Sequence, residues 1–325
     1  MKNLQLPVLC FAVFIASGLY SQQTTKTFKH EITFTTDNDD YTIKYTDRYY
    51  TNGFFLKFAT ALKDIDKDHL SSKKILTLEF AQQIYNPYRH DLAYLNALDR
   101  PFAGVLYVKG GITKIRANEN IYQLNIQSGI IGPAAKGKEI HRWWHNIFGL
   151  PKIYGWETQL NNEGFVNFSA SYHHHLTRHQ EEKPWYDAFA FASASLGNNY
   201  SGVTTGLQLK LGAFEKAYNS VAWNAKVQRG KQSPNYRRNH ELYFYFEPQL
   251  TYQFYNAYLQ GGFFINDKGF YHVGIKNIIY QHNFGVLFTK GHWTTQLGFT
   301  FKTREAQNQI ATENFGTIRL GYRFR

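Results

Sequence analysis

The sequence predicts an all-β protein: a transmembrane antiparallel β-barrel of twelve strands, with a short helix carried in one extracellular loop. Three observations lead there. Segment after segment alternates apolar and polar residues with period two, which gives each strand one lipid-facing and one inward face. Aromatic residues make up 18% of the 325-residue chain while hydrophobic residues reach 43%, the mixture that aromatic girdles around a polar interior require. No segment stays apolar for the roughly 20 residues that a membrane-crossing helix needs.

The chain opens with Lys2, an apolar run from Leu4 to Ile15, and small residues at Ala16, Ser17, Gly18 and Ser21. That is the layout of a secretory signal over residues 1–21, with residues 22–325 as one barrel domain. Cys10 is the sole cysteine and lies inside the apolar run. Val8 and Leu9 precede it where a lipoprotein acceptor needs small residues, so the exported chain is expected to be free of thiols and disulfides. The net charge of +12 suits the anionic headgroups of outer-membrane lipids, since an exported chain rarely meets nucleic acid.

Alternating segments cover residues 30–36, 50–60, 75–85, 102–113, 121–130, 165–176, 185–196, 201–212, 241–256, 272–289, 292–303 and 315–325. Twelve is an even number, as single-chain bacterial barrels require. Pro248 and the patterned stretch 220–227 allow fourteen instead; twelve is preferred because that stretch is short. The last two strands are the clearest. Trp293, Leu297, Phe299 and Phe301 share one face with Ile318, Leu320, Tyr322 and Phe324 on the next strand, while Lys302, Arg319 and Arg323 face inward. Inward charge behind an unbroken apolar face suits a wet lumen better than a sandwich core.

Strand parity then sorts the loops. With a periplasmic N-terminus, the odd connections open outward, and the first three (37–50, 86–101 and 132–164) hold nearly every candidate site residue. Even connections include tight turns at 117–119 and 290–291, although 61–74 and 213–240 are long for periplasmic turns. Within the third outward loop, residues 131–163 are the one long stretch with helical rather than alternating periodicity. His141 and His145 stand four residues apart on one face, and Trp144 and Phe148 form a second stripe.

Candidate chemistry gathers on that rim. Asp37, Asn38, Asp39 and Asp40 form a hard-oxygen cluster of the sort that holds calcium, although a solvated turn capped by its own side chains is the commoner meaning of such a run. Alternation through Gly53, Phe55 and Lys57 puts Thr51 inward, close to Asn38 and Asp39 across the first hairpin. His145 suits a general base near neutral pH; it also suits a metal site with His141, or mere decoration of an interfacial helix. Lys136, Lys138, Arg142, Lys152, Arg89 and Arg100 offer phosphate contacts to a lipid headgroup, or ordinary loop solvation. His173, His174 and His175 lie in a strand and alternate between faces, so they are read as structural.

The ordered motifs resemble a known family. D-N-D-D at Asp37 to Asp40, Y-T-N-G at Tyr50 to Gly53, I-Y-N-P at Ile84 to Pro87, D-R-P-F-A-G at Asp99 to Gly104, G-I-I-G-P at Gly129 to Pro133, H-x-I-x-G at His145 to Gly149 and G-W-x-x-Q-L-x-x-E at Gly155 to Glu163 resemble the LpxR-type lipid A 3′-O-deacylases. The resemblance implies a twelve-stranded outer-membrane barrel acting on lipid A or lipopolysaccharide. It further implies a calcium-dependent hydrolase that removes the 3′-linked acyloxyacyl group, with Asn38, Asp39, Thr51 and His145 serving the reaction and Asp39 and Asn38 near the Ca2+ ion.

Two departures stand out. His141 occupies a position where the family usually has Gln, and Leu150-Pro151 replaces an acidic residue usual shortly after the catalytic histidine. Glu139, Glu157 or Glu163 are the candidate substitutes for that acid. The competing expectation is a non-catalytic barrel, a porin or lipid-binding protein on the same scaffold, or an outer-membrane phospholipase-like esterase.

Overall fold

A computed structural model describes residues 28–42, 47–63, 72–89, 98–177, 184–229 and 240–325; the expected signal segment 1–21 lies outside them. Twelve antiparallel strands close into a barrel: β1 (His30–Asn38), β2 (Tyr49–Ala61), β3 (Ser72–Asn86), β4 (Ala103–Arg116), β5 (Ile121–Ile131), β6 (Glu163–His175), β7 (Tyr186–Gly197), β8 (Tyr200–Ala213), β9 (His240–Asn256), β10 (Ile278–Lys290), β11 (Trp293–Lys302) and β12 (Glu313–Phe324). Each strand pairs with its sequence neighbours, and β1 closes on β12 from His30↔Phe324 to Asn38↔Gly316. Closure leaves no edge, which matters in hydrocarbon because each unpaired backbone group there costs several kcal/mol.

The alternation sets the faces. Ile32, Phe34, Leu56, Leu78, Phe80 and Leu124 are exposed on the outside, whereas Glu31, Thr33, Thr294 and Arg323 are buried within. Arg323 donates to Glu31 Oε2 at 3.2 Å and to Thr294 Oγ1 at 2.6 Å, so the inward charges of β1 and β12 satisfy one another. Pro248 stays inside β9, and the β8–β9 ladder steps from Gly206↔Gln249 to Leu209↔Phe246 around it, as expected of a residue with no N–H to donate. The tenth strand starts at Ile278 and not at residue 272; Ile275 instead makes an isolated bridge with Ala306.

The long connection after β8 is not a periplasmic excursion over its described part. Ala217, Trp223, Ala225 and Val227 turn into the barrel and pack on Ala59, Ile75, Ile115, Ile121 and Phe189. Polar contacts pin this plug: Asn224 Nδ2 donates to Glu31 Oε1 at 2.6 Å, and Ser220 Oγ donates to Glu241 Oε2 at 2.8 Å. Lys73 Nζ also donates to the Ala225 carbonyl. The other end is filled by Tyr50, Tyr85, Val105, Tyr107, Leu160 and Phe165. The inward charges are paired along the wall: Glu79 with Lys109, and Glu31, beside the plug, with Arg319.

Candidate active site

The loop helix runs Gly137–Phe148. Its start follows a 3-10 turn at Pro133–Ala135 and a left-handed Lys136, and Gly149 in the left-handed region ends it, with its N–H given to the His145 carbonyl. The helix lies on the outside of the barrel wall. Phe54, which alternates with the exposed Leu56 and Phe58, meets Trp144 edge-on at 5.4 Å. Ile84, Phe102, Ile153 and Trp156 form a buried cluster beneath Ile140. The close approach needs glycine: a Cβ on Gly104 would stand 2.9 Å from both Gly137 Cα and N. Trp144 and Phe148 do form a stripe, 4.5 Å apart.

The buried face of the helix presents His141 (1% exposed) and His145 (6%) to the wall. Opposite them, a 3-10 turn at Asp39–Thr42 follows β1 and carries Asp39 into a pocket with Asp47 and Thr51. Thr51 Oγ1 lies 3.0 Å from Asp39 Oδ1 and 2.8 Å from Asp47 Oδ1, and Asn86 Nδ2 donates to the same Asp47 oxygen at 3.0 Å. Asp39 Oδ2 accepts the Arg48 N–H at 2.7 Å. Asp47 Oδ1 is 3.4 Å from His141 Nε2, and Asp47 Oδ2 is 3.6 Å from His145 Nε2. Asp47 and Tyr49 hold positive φ angles of 30° and 64°, conformations that cost non-glycine residues of order 1–3 kcal/mol each and concentrate at functional sites.

Thr51 departs from simple alternation. The β2–β3 register shifts between Tyr50 and Asn52, so Tyr50 takes the inward place, bonding Asp37 Oδ2 at 2.9 Å and packing on Phe315. Thr51, freed by the irregularity, faces the pocket between wall and helix and not the lumen. Asp37 is likewise inward, accepting from Thr317 Oγ1 at 2.7 Å. Asn38 pairs with Asn52 in the ladder, and its Oδ1 accepts the Asp40 N–H at 2.7 Å.

The two imidazoles are held differently. His145 Nδ1 donates to the Pro151 carbonyl at 2.5 Å, which leaves Nε2 with its lone pair facing the carboxylates when the ring is neutral. Burial lowers the His145 pKa below the ordinary imidazole value, as does His141 beside it, against the pull of Asp47. His141 Nδ1 accepts from Trp156 Nε1 at 3.3 Å. Burial, and then the Asp47 and Asp40 carboxylates, raise the Asp39 pKa well above the carboxylate range, against the Arg48 N–H and the Thr51 hydroxyl.

Of the residues singled out in the sequence, Asp39, Thr51 and His145 converge, and Asn38 stands next to them. The expected acid substitutes do not. Glu139 is paired with Lys136, Glu157 with Lys138, and Glu163 accepts the N–H groups of Phe263 and Phe264. The carboxylate that reaches the histidines is Asp47, which sequence reasoning missed. It lies four residues before Thr51, inside a loop already assigned to the same rim, and that was the available signal. Arg100 corrects another expectation: it is fully buried, bonded to Glu305 at 3.0 Å and near Glu313 at 3.5 Å, so a headgroup does not reach it. Lys136 and Arg89 are exposed, and Lys138 is engaged by Glu157 at 2.7 Å. The strand histidines are structural contacts: His173 stacks on Phe191 and His175 bonds Asp187 at 2.8 Å.

The family model described as "Outer membrane protein LpxR" matches residues 6–324. Among solved structures, LpxR from Salmonella typhimurium superposes with a TM-score of 0.72 at 20% identity, covering 91% of this chain and all of that one. The translocator domain of autotransporter NalP from Neisseria meningitidis reaches a TM-score of 0.43 at 10% identity, covering 96% of this chain and 93% of that one. No curated protein sequence matches the chain.

Proposed function

Since this chain belongs to the LpxR family of outer-membrane barrels, we propose that it is a lipid A 3′-O-deacylase, a carboxylic ester hydrolase using His145 as its base. The observation that carries this reading is the His145 ring. Its Nδ1 proton is committed to the Pro151 carbonyl, so Nε2 is aimed at a buried pocket lined by Asp39, Asp47 and Thr51. An imidazole so oriented takes a proton from water as the water attacks an ester carbonyl, then returns it to the departing alkoxide.

The oxygen side of the pocket suits calcium. Thr51 has one hydroxyl proton but two carboxylate oxygens within 3.0 Å, so it can donate to only one of them, and the other repulsion calls for a proton or a cation. Asp39, Asp47 and Thr51 supply hard oxygens of the type calcium takes, with Asn38 alongside. When bound, calcium would supply positive charge to the ester carbonyl as negative charge develops on it. The chain's own residues do the rest: Asn86 and the Arg48 N–H fix the carboxylates, and the buried wall excludes bulk water.

Location supports a lipid substrate. The pocket lies on the outside of the wall, and the adjacent helix and loop expose Trp143, Ile147, Phe148 and Tyr154, an apolar surface for acyl chains at the level of the outer leaflet. A barrel packed at both ends speaks against the porin alternative. The test is to incubate purified protein with lipid A, with calcium or chelator, and weigh the products. Loss of the 3′-acyloxyacyl mass is expected only with calcium. Unchanged lipid A in both arms would sink the enzyme reading, and release from phospholipids alone would favour the phospholipase-like alternative.

A further inference from the structure

Beyond calcium-assisted deacylation, we propose that Asp47, His141 and His145 form a transition-metal site, and that a zinc-like ion held there switches the enzyme off. The consequence for activity rests on the deacylase reading; the metal site does not. Single ligand atoms of the three buried residues all lie within 4.8 Å of one another. The Asp47–His141 and Asp47–His145 separations of 3.4 and 3.6 Å are too long for good hydrogen bonds. The first runs to Oδ1 and the second to Oδ2, so the carboxylate turns one oxygen to each imidazole. The 4.8 Å spread of the three ligand atoms needs only a modest closing movement to reach the roughly 3.3 Å edge of a tetrahedron whose metal–ligand bonds are about 2.0 Å.

Two further features point to an ion. His141 Nε2 is buried and aimed into the site with no hydrogen-bond partner, an arrangement that costs stability unless something occupies the space. His145 is already oriented as metal-bound histidines are, its other ring nitrogen donating to a backbone carbonyl. Two imidazoles and one carboxylate select zinc, copper, iron or nickel over calcium, which takes oxygens. Three protein ligands leave a position open.

Coordination through His141 Nε2 places the ring proton on Nδ1, so the long Trp156 contact at 3.3 Å must loosen on binding. Because metal displaces protons from its ligands, affinity rises with pH. Calcium and the new ion share Asp47 but differ at their other ends: oxygens of Asp39 and Thr51 on one side, imidazole nitrogens on the other. A metal on His145 Nε2 removes the lone pair that accepts the proton from water, hence the inhibition.

The experiment titrates Co2+ into the purified, detergent-solubilised barrel and follows the visible bands that report tetrahedral nitrogen coordination. One equivalent is expected. His141→Gln, which removes one imidazole ligand and keeps a polar side chain of similar length, should abolish the bands and weaken binding at least about 100-fold, since even outer-shell changes cost 10–100-fold. Heat-modifiable migration checks that the variant barrel is folded. In parallel, Zn2+ should stop calcium-supported acyl release by the wild type and spare His141→Gln. Absent bands, or bands that survive His141→Gln, overturn the site. Bands lost in His141→Gln with zinc-insensitive release overturn the inhibitory role. Bands lost in His141→Gln with no release under any condition uphold the metal site and remove the deacylase reading.

Discussion

Thr51 Oγ1 stands 2.8 Å from Asp47 Oδ1, a contact between the irregular second strand and the turn before it that organises the whole pocket. Thr51→Val removes the hydroxyl and leaves Asp39 and Asp47 facing each other without a donor. Loss of a hydrogen bond to a charged group costs about 1.5–3 kcal/mol, so kcat/KM on lipid A should fall at least tenfold. Thr51→Ser should retain most activity. Equal losses in both variants would argue that the methyl packing matters and the hydroxyl does not.

Asp47 is the carboxylate that stands near both imidazoles. In Asp47→Asn the calcium concentration needed for half-maximal release should rise by about 10–100-fold, with the barrel still folded by heat-modifiable migration. Chelation of the wild-type protein should abolish release, and calcium should restore it. An unchanged calcium requirement in Asp47→Asn would confine the ion to Asp39 and its neighbours.

His145→Ala should lose about 10²–10⁴-fold in kcat, the usual contribution of a positioned base, without loss of lipid binding. Measured release within a few-fold of wild type would assign water activation elsewhere.

Gly104 lets the helix touch the wall. Gly104→Val pushes on the Gly137 backbone, where even a Cβ would come within 2.9 Å, and overpacking of this kind costs about 1–3 kcal/mol. The expected result is a folded barrel with reduced kcat, because the histidines lift away from Asp47. Full activity in Gly104→Val would mean that the helix docks without this contact.

The plug makes a separate claim. Reconstituted in planar bilayers, the protein should conduct poorly, and deletion of residues 214–228 should raise single-channel conductance. High conductance of the intact chain would revive the porin alternative.

Much of this was legible in the linear sequence. Period-two alternation reports covalent strand geometry and one-sided lipid exposure, both local, so the number of strands, their order and the rim shared by Asp39, Thr51 and His145 followed from counting. The helix, too, was visible in the spacing of His141, His145, Trp144 and Phe148. What tertiary structure alone decided were the features that break local rules. An irregularity at Thr51 turns its side chain away from the face that parity assigned, and Gly104 against Gly137 seats the helix outside the wall. Arg100 sinks onto Glu305 and Glu313, and residues 214–228 fold back into the lumen. Asp47 reaches both histidines only because a strained turn and Asn86 hold it there. Such contacts join residues far apart in the chain, and alternation carries no information about which distant partner satisfies a buried charge.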